Sequence, residues 1–165
     1  EGASRPGHFE GVATVVSKLF QIIQPDIAFL GQKDYQQTVV IRKMVSDMDL
    51  PVKISVRPTI RERNGLALSS RNRYLSPSEK KSALVLYSAL KKGRDKIREG
   101  EKSGTAIRTA MVRTVRKEAR VRLDYAAVAD VESLEPVKRI RGKTVLLIAG
   151  KVGKTRLIDN LLVPA

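Results

Sequence analysis

The sequence of 165 residues contains no cysteine, no tryptophan and a single histidine. The absence of cysteine excludes a disulfide framework, a thiolate nucleophile and a thiolate metal site, and it is compatible with a reducing cytoplasm. His8 has no second histidine or cysteine to join it, so we expect no dedicated transition-metal site. No apolar run approaches the roughly 18 residues that a membrane-spanning helix needs, and we therefore predict no membrane partner.

Aromatic residues are also scarce, at 4%, whereas the formal net charge is +15. Residues 1–60 hold 7 basic and 6 acidic residues, and residues 61–165 hold 25 and 11. The basic excess of the second part suits a polyanionic partner, such as a nucleic acid or an acidic substrate. It also suits a solvated basic surface, which the shortage of aromatic residues for base stacking favours. A basic nucleic-acid-binding module is therefore kept as the alternative function.

Apolar patterning divides the first 60 residues into alternating helices and strands. The predicted elements are a helix from Phe9 to about Ile23, a strand at Ile27–Leu30 buried on both faces, a helix at Tyr35–Met48 and a strand from Val52 to Pro58. This order predicts parallel strands joined by a right-handed crossover. Two strands form a poor sheet with unprotected edges, so the segment looks like half of a doubly wound domain. The polar connector 58–72 predicts a boundary, with domains at 1–59 and 60–165.

Residues 60–165 predict a small α+β domain. Ser76-Pro77-Ser78-Glu79 has the pattern of a helix start with a capping box. The predicted elements are helices to about Arg98 and from Gly104 to about Ala119, and strands at Leu123–Val128, Thr144–Ala149 and Leu157–Val163. Turn-rich connections favour antiparallel pairing of these strands. The segment Gly150–Thr155 is not a P-loop, because Ile148 stands where the first glycine of that motif must be; it predicts a basic hairpin turn.

The loop after the first predicted strand holds the clearest candidate binding residues, Gly31-Gln32-Lys33-Asp34-Tyr35-Gln36-Gln37. Such loops bind ligands in open α/β sheets, and a lysine beside helix-opening N–H groups suits a phosphate. Alternatively, Asp34 and Gln37 form a capping box that needs no ligand. That alternative leaves Lys33 unexplained, because its charge would face the positive end of a helix.

A second candidate loop combines hydroxyl groups with a guanidinium: Leu68-Ser69-Ser70-Arg71-Asn72. It has the composition of a loop that closes over a polyphosphate and its developing charge. It also has the composition of an ordinary polar turn. The two loops together suggest a nucleotide that is handled from both ends.

Several long motifs resemble those of the pantothenate synthetase family. They follow one another in the family's order and spacing along essentially the whole chain, and they are Ser4–Phe9, Gly31–Gln37, Gly65–Leu75 and Thr155–Asn160. Members of that family condense pantoate with β-alanine using ATP: a pantoyl adenylate forms with loss of pyrophosphate, and the amine then displaces AMP. The resemblance implies an α/β fold, part of a nucleotidyltransferase-type Rossmann domain followed by a small α+β C-terminal lid domain with a three-stranded antiparallel sheet. It also implies a cytoplasmic homodimer.

The resemblance further implies a role for individual residues. The ATP-binding set would be Gly31, Gln32, Lys33, Asp34, Ile60, Leu68, Ser69, Ser70 and Arg71. Within this set, Lys33 would contact phosphate and Asp34 would contact the ribose. The backbone near Ile60 would contact the adenine, and residues 68–71 would close over the triphosphate. Gln37 would hold pantoate.

The same resemblance places Arg5 and His8 near the substrates, without an assigned role. Lys33, Arg71 and a Mg²⁺ ion would offset the repulsion between the pantoate carboxylate and the α-phosphate. A closed, dry pocket would then protect the acyl adenylate from water.

One departure from the family pattern is the absence of its His-x-Gly-His motif, since Arg5 holds the first histidine position in Arg5-Pro6-Gly7-His8. The chain also begins with Glu1. We therefore expect a C-terminal portion of the enzyme that lacks the first strands of the sheet and the other pantoate-binding glutamine. Such a chain should expose an apolar face within residues 1–59 and should be inactive, or nearly so, alone.

Overall fold

The computed structural model describes residues 2 and 5–164 of the chain. The chain divides into two compact units, Glu1–Thr59 and Ile60–Ala165. The helices are α1 (His8–Ile23), α2 (Tyr35–Asp47), α3 (Pro77–Arg98) and α4 (Gly104–Val115), and the strands are β1 (Ile27–Gly31), β2 (Lys53–Arg57), β3 (Val121–Asp130), β4 (Thr144–Val152) and β5 (Thr155–Val163). Within the described part, none of the helices has both the length and the apolar character needed to cross a bilayer.

The first unit is an α/β arrangement around a two-stranded parallel sheet. Ile27 of β1 lies opposite Lys53 of β2, and Gly31 lies opposite Arg57. The predicted parallel pairing is therefore confirmed. Helix α2 connects the two strands and carries the only side chain of this unit's described residues that is completely inaccessible to solvent, Ile41.

The prediction that the first strand is buried on both faces is wrong. Ile27 is 46% exposed and Phe29 is 60% exposed, so one face of β1 is open. Successive strand residues point to opposite faces of a sheet, and the exposed and half-buried residues of β1 alternate in this way. Only one face of the two-stranded sheet is therefore covered. Helix α1 adds exposed apolar side chains, namely Val15, Leu19, Ile22 and Ile23. The predicted exposed apolar face of this unit is thus confirmed.

The second unit packs α3 and α4 against a three-stranded antiparallel sheet in the order β3-β4-β5. The predicted α+β character and strand pairing are confirmed, and the strands extend beyond the predicted bounds. The largest completely buried side chains of its core are Leu90, Ile107, Met111, Val115, Val145, Leu146, Ile148, Val152, Asn160 and Thr144. Helix α4 ends at Val115 rather than near Ala119. It stops earlier because the chain turns there, with the Glu118 amide donating to the Val115 carbonyl and the Val121 amide to the Glu118 carbonyl, before β3 begins.

The start of α3 has the predicted capping box. The Ser76 hydroxyl accepts from the Glu79 amide at 3.3 Å, and the Glu79 carboxylate accepts from the Ser76 amide at 2.8 Å. The Ser76 backbone N–H, followed by its hydroxyl, holds the pKa of Glu79 below its ordinary value.

The turn between β4 and β5 lies against this helix start. Val152 pairs with Thr155, which leaves a two-residue turn, and Gly153 in it has a φ of +56°. A Cβ atom at Gly153 would collide with the Glu79 carboxylate. The predicted basic hairpin turn is confirmed. The exclusion of a P-loop is confirmed as well, because a strand follows the glycine and lysine residues where a P-loop requires a helix.

Candidate functional site

The loop after β1 places Lys33 beside an acidic neighbour. The strand ends at Gly31, a 3₁₀ turn covers Gln32–Asp34, and α2 begins at Tyr35. The Lys33 Nζ atom lies 3.7 Å from the Asp34 Oδ1 atom, with side-chain exposures of 16% and 49%. The Lys33 side chain is therefore largely covered, whereas the Asp34 side chain, whose charge partly offsets that of Lys33, is about half exposed.

The predicted capping box at the start of α2 is wrong. Asp34 occupies the N-cap position but its side chain accepts no backbone N–H of the helix, and its ψ of 55° departs from the extended conformation of a capping residue. The 3₁₀ turn imposes this conformation and leaves the carboxylate near Lys33 instead. A capping box therefore does not explain Asp34 and Gln37, because the hydrogen bond from the helix backbone to the Asp34 side chain is not formed. Gln37 is half-buried on the first turn of the helix.

Gln36, next to Gln37, belongs to the same candidate loop, but the sequence indicated no individual role for it. Its Oε1 atom is buried and has no hydrogen-bond partner within the described part of the chain. A buried acceptor without a donor is costly, and because this amide oxygen is closed to solvent it offers no open contact to a ligand.

Arg5 and His8 lie together at the beginning of α1. The Arg5 Nη1 atom is 3.0 Å from the His8 Nε2 atom. Since a guanidinium can only donate, Nε2 of His8 is the acceptor in this contact. The two side chains that the family resemblance predicts to lie near the substrates are thus neighbours.

In the second unit, the predicted ATP-binding residues Ile60 and Leu68 face each other across a short hairpin. The Leu68 amide donates to the Ile60 carbonyl at 2.9 Å, and the Glu62 amide donates to the Leu66 carbonyl at 2.8 Å. Gly65 in the turn has a φ of +98°, which favours glycine. Both apolar side chains of the outer pair, Ile60 and Leu68, are exposed, which suits contact with a flat ligand.

The segment after this hairpin presents Arg71 to solvent. The Ser69 hydroxyl accepts from the Arg71 amide at 3.2 Å, and the following residues form a 3₁₀ turn, Ser70–Tyr74. Buried Asn72 fixes the segment, because its amide donates to the Glu62 carboxylate at 3.0 Å and to the Ala67 carbonyl at 3.1 Å. The Arg71 guanidinium has no hydrogen bond or ion pair with any residue that the structure describes, and it lines a depression of about 740 Å³.

Arg61 and Asp159 anchor the hairpin to the sheet, and the sequence reasoning missed this pair. Arg61 donates to the two carboxylate oxygens of Asp159 at 2.7 and 2.9 Å, and also to the Gly65 carbonyl at 3.1 Å. Its guanidinium lies 3.7 Å from the centre of the Tyr87 ring. A lone carboxylate at a buried position in the apolar pattern of β5 was the signal that could have indicated a cationic partner.

Comparison with known proteins gives one consistent result. The family model described as pantoate-beta-alanine ligase matches residues 1–162. A pantothenate synthetase of Moorella thermoacetica is 52% identical over 161 residues, which are 98% of this chain and 57% of that protein. One of Roseiflexus castenholzii is 48% identical over 165 residues, which are 100% of this chain and 59% of that protein. The chain thus spans just under three fifths of the length of these curated relatives.

Solved structures agree with this result. The pantothenate synthetase of Thermus thermophilus matches with a TM-score of 0.94 and 46% identity, covering 98% of this chain and 58% of that one. The pantoate-beta-alanine ligase of Francisella tularensis, in complex with beta-gamma ATP and beta-alanine, matches with a TM-score of 0.69 and 34% identity, covering 98% of this chain and 53% of that one.

Proposed function

Because the chain belongs to the pantoate-beta-alanine ligase family, we propose that it carries ATP-binding and pantoate-binding residues of a ligase that joins pantoate to β-alanine. The observation that carries the proposal is the position of Lys33 and Gln37. They follow the carboxyl end of a strand in a parallel pair, which is where open α/β sheets bind ligands. The ligands named for the Francisella tularensis structure support the same substrate class.

The proposed reaction has two steps. A pantoate carboxylate oxygen attacks the α-phosphorus of ATP, the bond to the bridging oxygen breaks, and pyrophosphate leaves with the electron pair. The β-alanine nitrogen then attacks the acyl carbon, the bond to the phosphate oxygen breaks, and AMP leaves while the nitrogen loses a proton. The first step brings two anions together, so cationic side chains near the phosphates lower its barrier.

Lys33 and Arg71 are the side chains we assign to this charge. Lys33 lies at the start of a helix, where phosphates bind well. Arg71 is exposed, with its fork of N–H donors available to phosphate oxygens. The partly exposed Asp34 carboxylate is suited to accept from ribose hydroxyls, and the Gln37 amide to hold pantoate. The hydroxyls of Ser69 and Ser70 and the exposed pair Ile60 and Leu68 complete the ATP set with the loop backbone of Gly31 and Gln32.

The proposed Mg²⁺ ion fits this chain only as part of the substrate. Residues 2 and 5–164 contain no group of three or more His, Cys, Asp or Glu side chains that could hold a metal. Magnesium is commonly held by substrate phosphates and one or two carboxylates rather than by a protein cage. We therefore write the nucleotide as MgATP and assign no metal ligand to this chain.

We further propose that the chain does not complete the reaction alone. One support is the absence of His-x-Gly-His from the sequence. The other is the exposed apolar face of the first unit, which calls for a covering surface. The homodimer and the cytoplasmic location that the family resemblance implies stay predictions.

Calorimetric titration of MgATP into the 165-residue chain tests the proposal. We expect binding that Lys33→Ala and Arg71→Ala each weaken by about tenfold, the loss that corresponds to one charge-assisted hydrogen bond. Lys43→Ala is the matched control, because Lys43 lies exposed on α2 and pairs with Asp47. Absence of binding by the unchanged chain, or equal losses in all three variants, would contradict the assignment.

A pantothenate-forming assay on the same chain tests the second part. We expect no turnover with ATP, pantoate and β-alanine. Clear turnover would show that the residues present are sufficient and that the missing motif is dispensable.

A further inference from the structure

Three neighbouring strands of the second unit present cations in one row. Arg122 of β3 lies opposite Lys151 of β4, and Lys151 lies opposite Arg156 of β5. Residues directly opposite each other share one face of a sheet. The adjacent Val121 and Val152 are buried in the core with α3 and α4, so the three cations lie on the other face.

Within the described part of the unit, only one of the three cations is neutralised. Arg156 donates to the Asp124 Oδ2 atom from Nε at 2.9 Å and from Nη2 at 2.6 Å. Arg122 and Lys151 form no ion pair with any residue that the structure describes. Like charges directly opposite each other destabilise a sheet, so this arrangement weakens the fold unless something else occupies the site.

Two cations of the row, Arg122 and Lys151, and two further cations, Arg120 and Lys154, line a depression of about 540 Å³, which we call the basic depression. Its lining residues are Ala119, Arg120, Arg122, Lys151, Gly153 and Lys154. Two carboxylates lie nearby: Glu118 accepts from the Arg120 backbone amide at 3.3 Å, and Glu79 caps α3, where the Ser76 backbone N–H and, to a smaller extent, the Arg120 charge lower the pKa of Glu79. Among described residues, no carboxylate lies within ion-pair distance of these four cationic side chains.

We propose that the basic depression binds a compact oligophosphate anion with the chemistry of pyrophosphate. Two arginine forks and two ammonium groups match an anion of several charges, and two linked phosphates carry roughly −3 at neutral pH. The described residues that line the depression include no aromatic side chain, so it lacks the stacking surface that single-stranded nucleic acids use. None of the residues that line the basic depression is assigned to ATP, although Arg71 lines an adjoining depression that shares Gly153 and Lys154 with it.

Titration of inorganic pyrophosphate into the 165-residue chain, without Mg²⁺, tests the proposal. We expect binding that is weakened at least about tenfold in the double variant Arg122→Gln/Lys151→Thr, since two charge-assisted contacts are lost. Lys43→Gln, an exposed lysine of the first unit, should retain it, and Arg71→Ala should weaken it less than the double variant does.

Four results would overturn the proposal. The first is that pyrophosphate does not bind, and the second is that the double variant binds it as well as the unchanged chain does. The third is that Arg71→Ala loses as much pyrophosphate affinity as the double variant. The fourth is that a short single-stranded oligonucleotide binds more tightly than pyrophosphate and depends on Lys151 in the same way. The third would assign the anion to the ATP loop, and the fourth would favour the nucleic-acid alternative.

Thermal unfolding gives a second readout that does not need a measurable affinity. Without anion, Lys151→Thr should raise the midpoint by about 1–4 °C, because it removes a like charge from the middle of the row. Pyrophosphate should raise the midpoint of the unchanged chain more than that of the variant. A lower midpoint of the variant without anion would show that the row is not repulsive and would remove the argument for an anion.

Discussion

Replacement of Arg61 by leucine should destabilise the second unit more than the loss of any surface ion pair. The side chains of Arg61 and Asp159 are only 16% and 5% exposed, and the Asp159 carboxylate also accepts from the Asn160 amide at 2.8 Å. Removal of one partner of a buried pair leaves the other charge uncompensated, at a cost of about 3–5 kcal/mol. Because water reaches part of Arg61, we expect a loss near the lower end, about 3 kcal/mol.

A second ion pair on the same strand provides the control. Arg156 contacts Asp124 at 2.6 Å, but these side chains are 22% and 34% exposed. The two arginines are similarly covered, but Asp124 is much more exposed than Asp159. Because water can solvate the Asp124 carboxylate when its partner is removed, Arg156→Leu should cost less than Arg61→Leu, about 1 kcal/mol. The comparison separates the effect of burial from the effect of removing an arginine from this surface.

Urea denaturation followed by circular dichroism measures both losses. Because the chain has two units, amide hydrogen exchange at Leu68 and Asn160 follows the second unit separately. The double variant Arg61→Leu/Asp159→Leu should recover part of the stability, since an apolar pair replaces the uncompensated charge. The reasoning would be refuted if Arg61→Leu lowered the free energy of unfolding by less than about 1 kcal/mol. It would also be refuted if the loss in the double variant equalled the sum of the losses in the two single variants.

Three further predictions concern a cap, a glycine and the exposed face. The Ser76 N–H lowers the pKa of Glu79 from its ordinary value of 4.5, so the ionised carboxylate stabilises the fold fully above pH 4.5, and this stabilisation is lost as the pH falls through the lowered pKa. The free energy of unfolding, measured against pH, should therefore fall less in acid for Glu79→Gln than for the unchanged chain. The same pH profile in both proteins would contradict this. Gly104→Ala should lower the melting temperature despite alanine's higher helix propensity, because its Cβ would collide with the Val137 carbonyl oxygen; a higher melting temperature would contradict that contact. Sedimentation should show that the chain self-associates and that Phe29→Ser reduces the association, because Phe29 is a large exposed apolar side chain of the kind that marks an interaction surface; a monomer at all concentrations would contradict this.

Local patterns predicted most of the elements correctly. The capping box that starts α3 needs only Ser76 and Glu79, three residues apart, and the β4–β5 turn needs only Gly153 and its neighbours. These interactions form within one turn of the chain, so the residue order specifies them. The candidate ligand-binding residues stay predictions; all of them except Ile60 lie in short contiguous motifs.

Predictions that depended on distant partners were incomplete. The burial of β1 depends on how many strands and helices cover it, and Phe29 is exposed although its apolar run predicts a buried strand. Asp34 lost its predicted capping role because a 3₁₀ turn sets its backbone angles and Lys33 lies near its carboxylate. The sequence indicates residue types at these positions but not their surroundings.

By itself, the sequence determined the family, the order of helices and strands, and the residue types of the two candidate loops, because these reside in contiguous motifs. Only the tertiary structure decided which charges meet. Arg61 and Asp159 are 98 residues apart in the chain, and the row of Arg122, Lys151 and Arg156 exists only through the register of three strands. Shifting one strand by a single residue would move its cation to the opposite face of the sheet, so the electrostatics of this protein follow from its folded geometry.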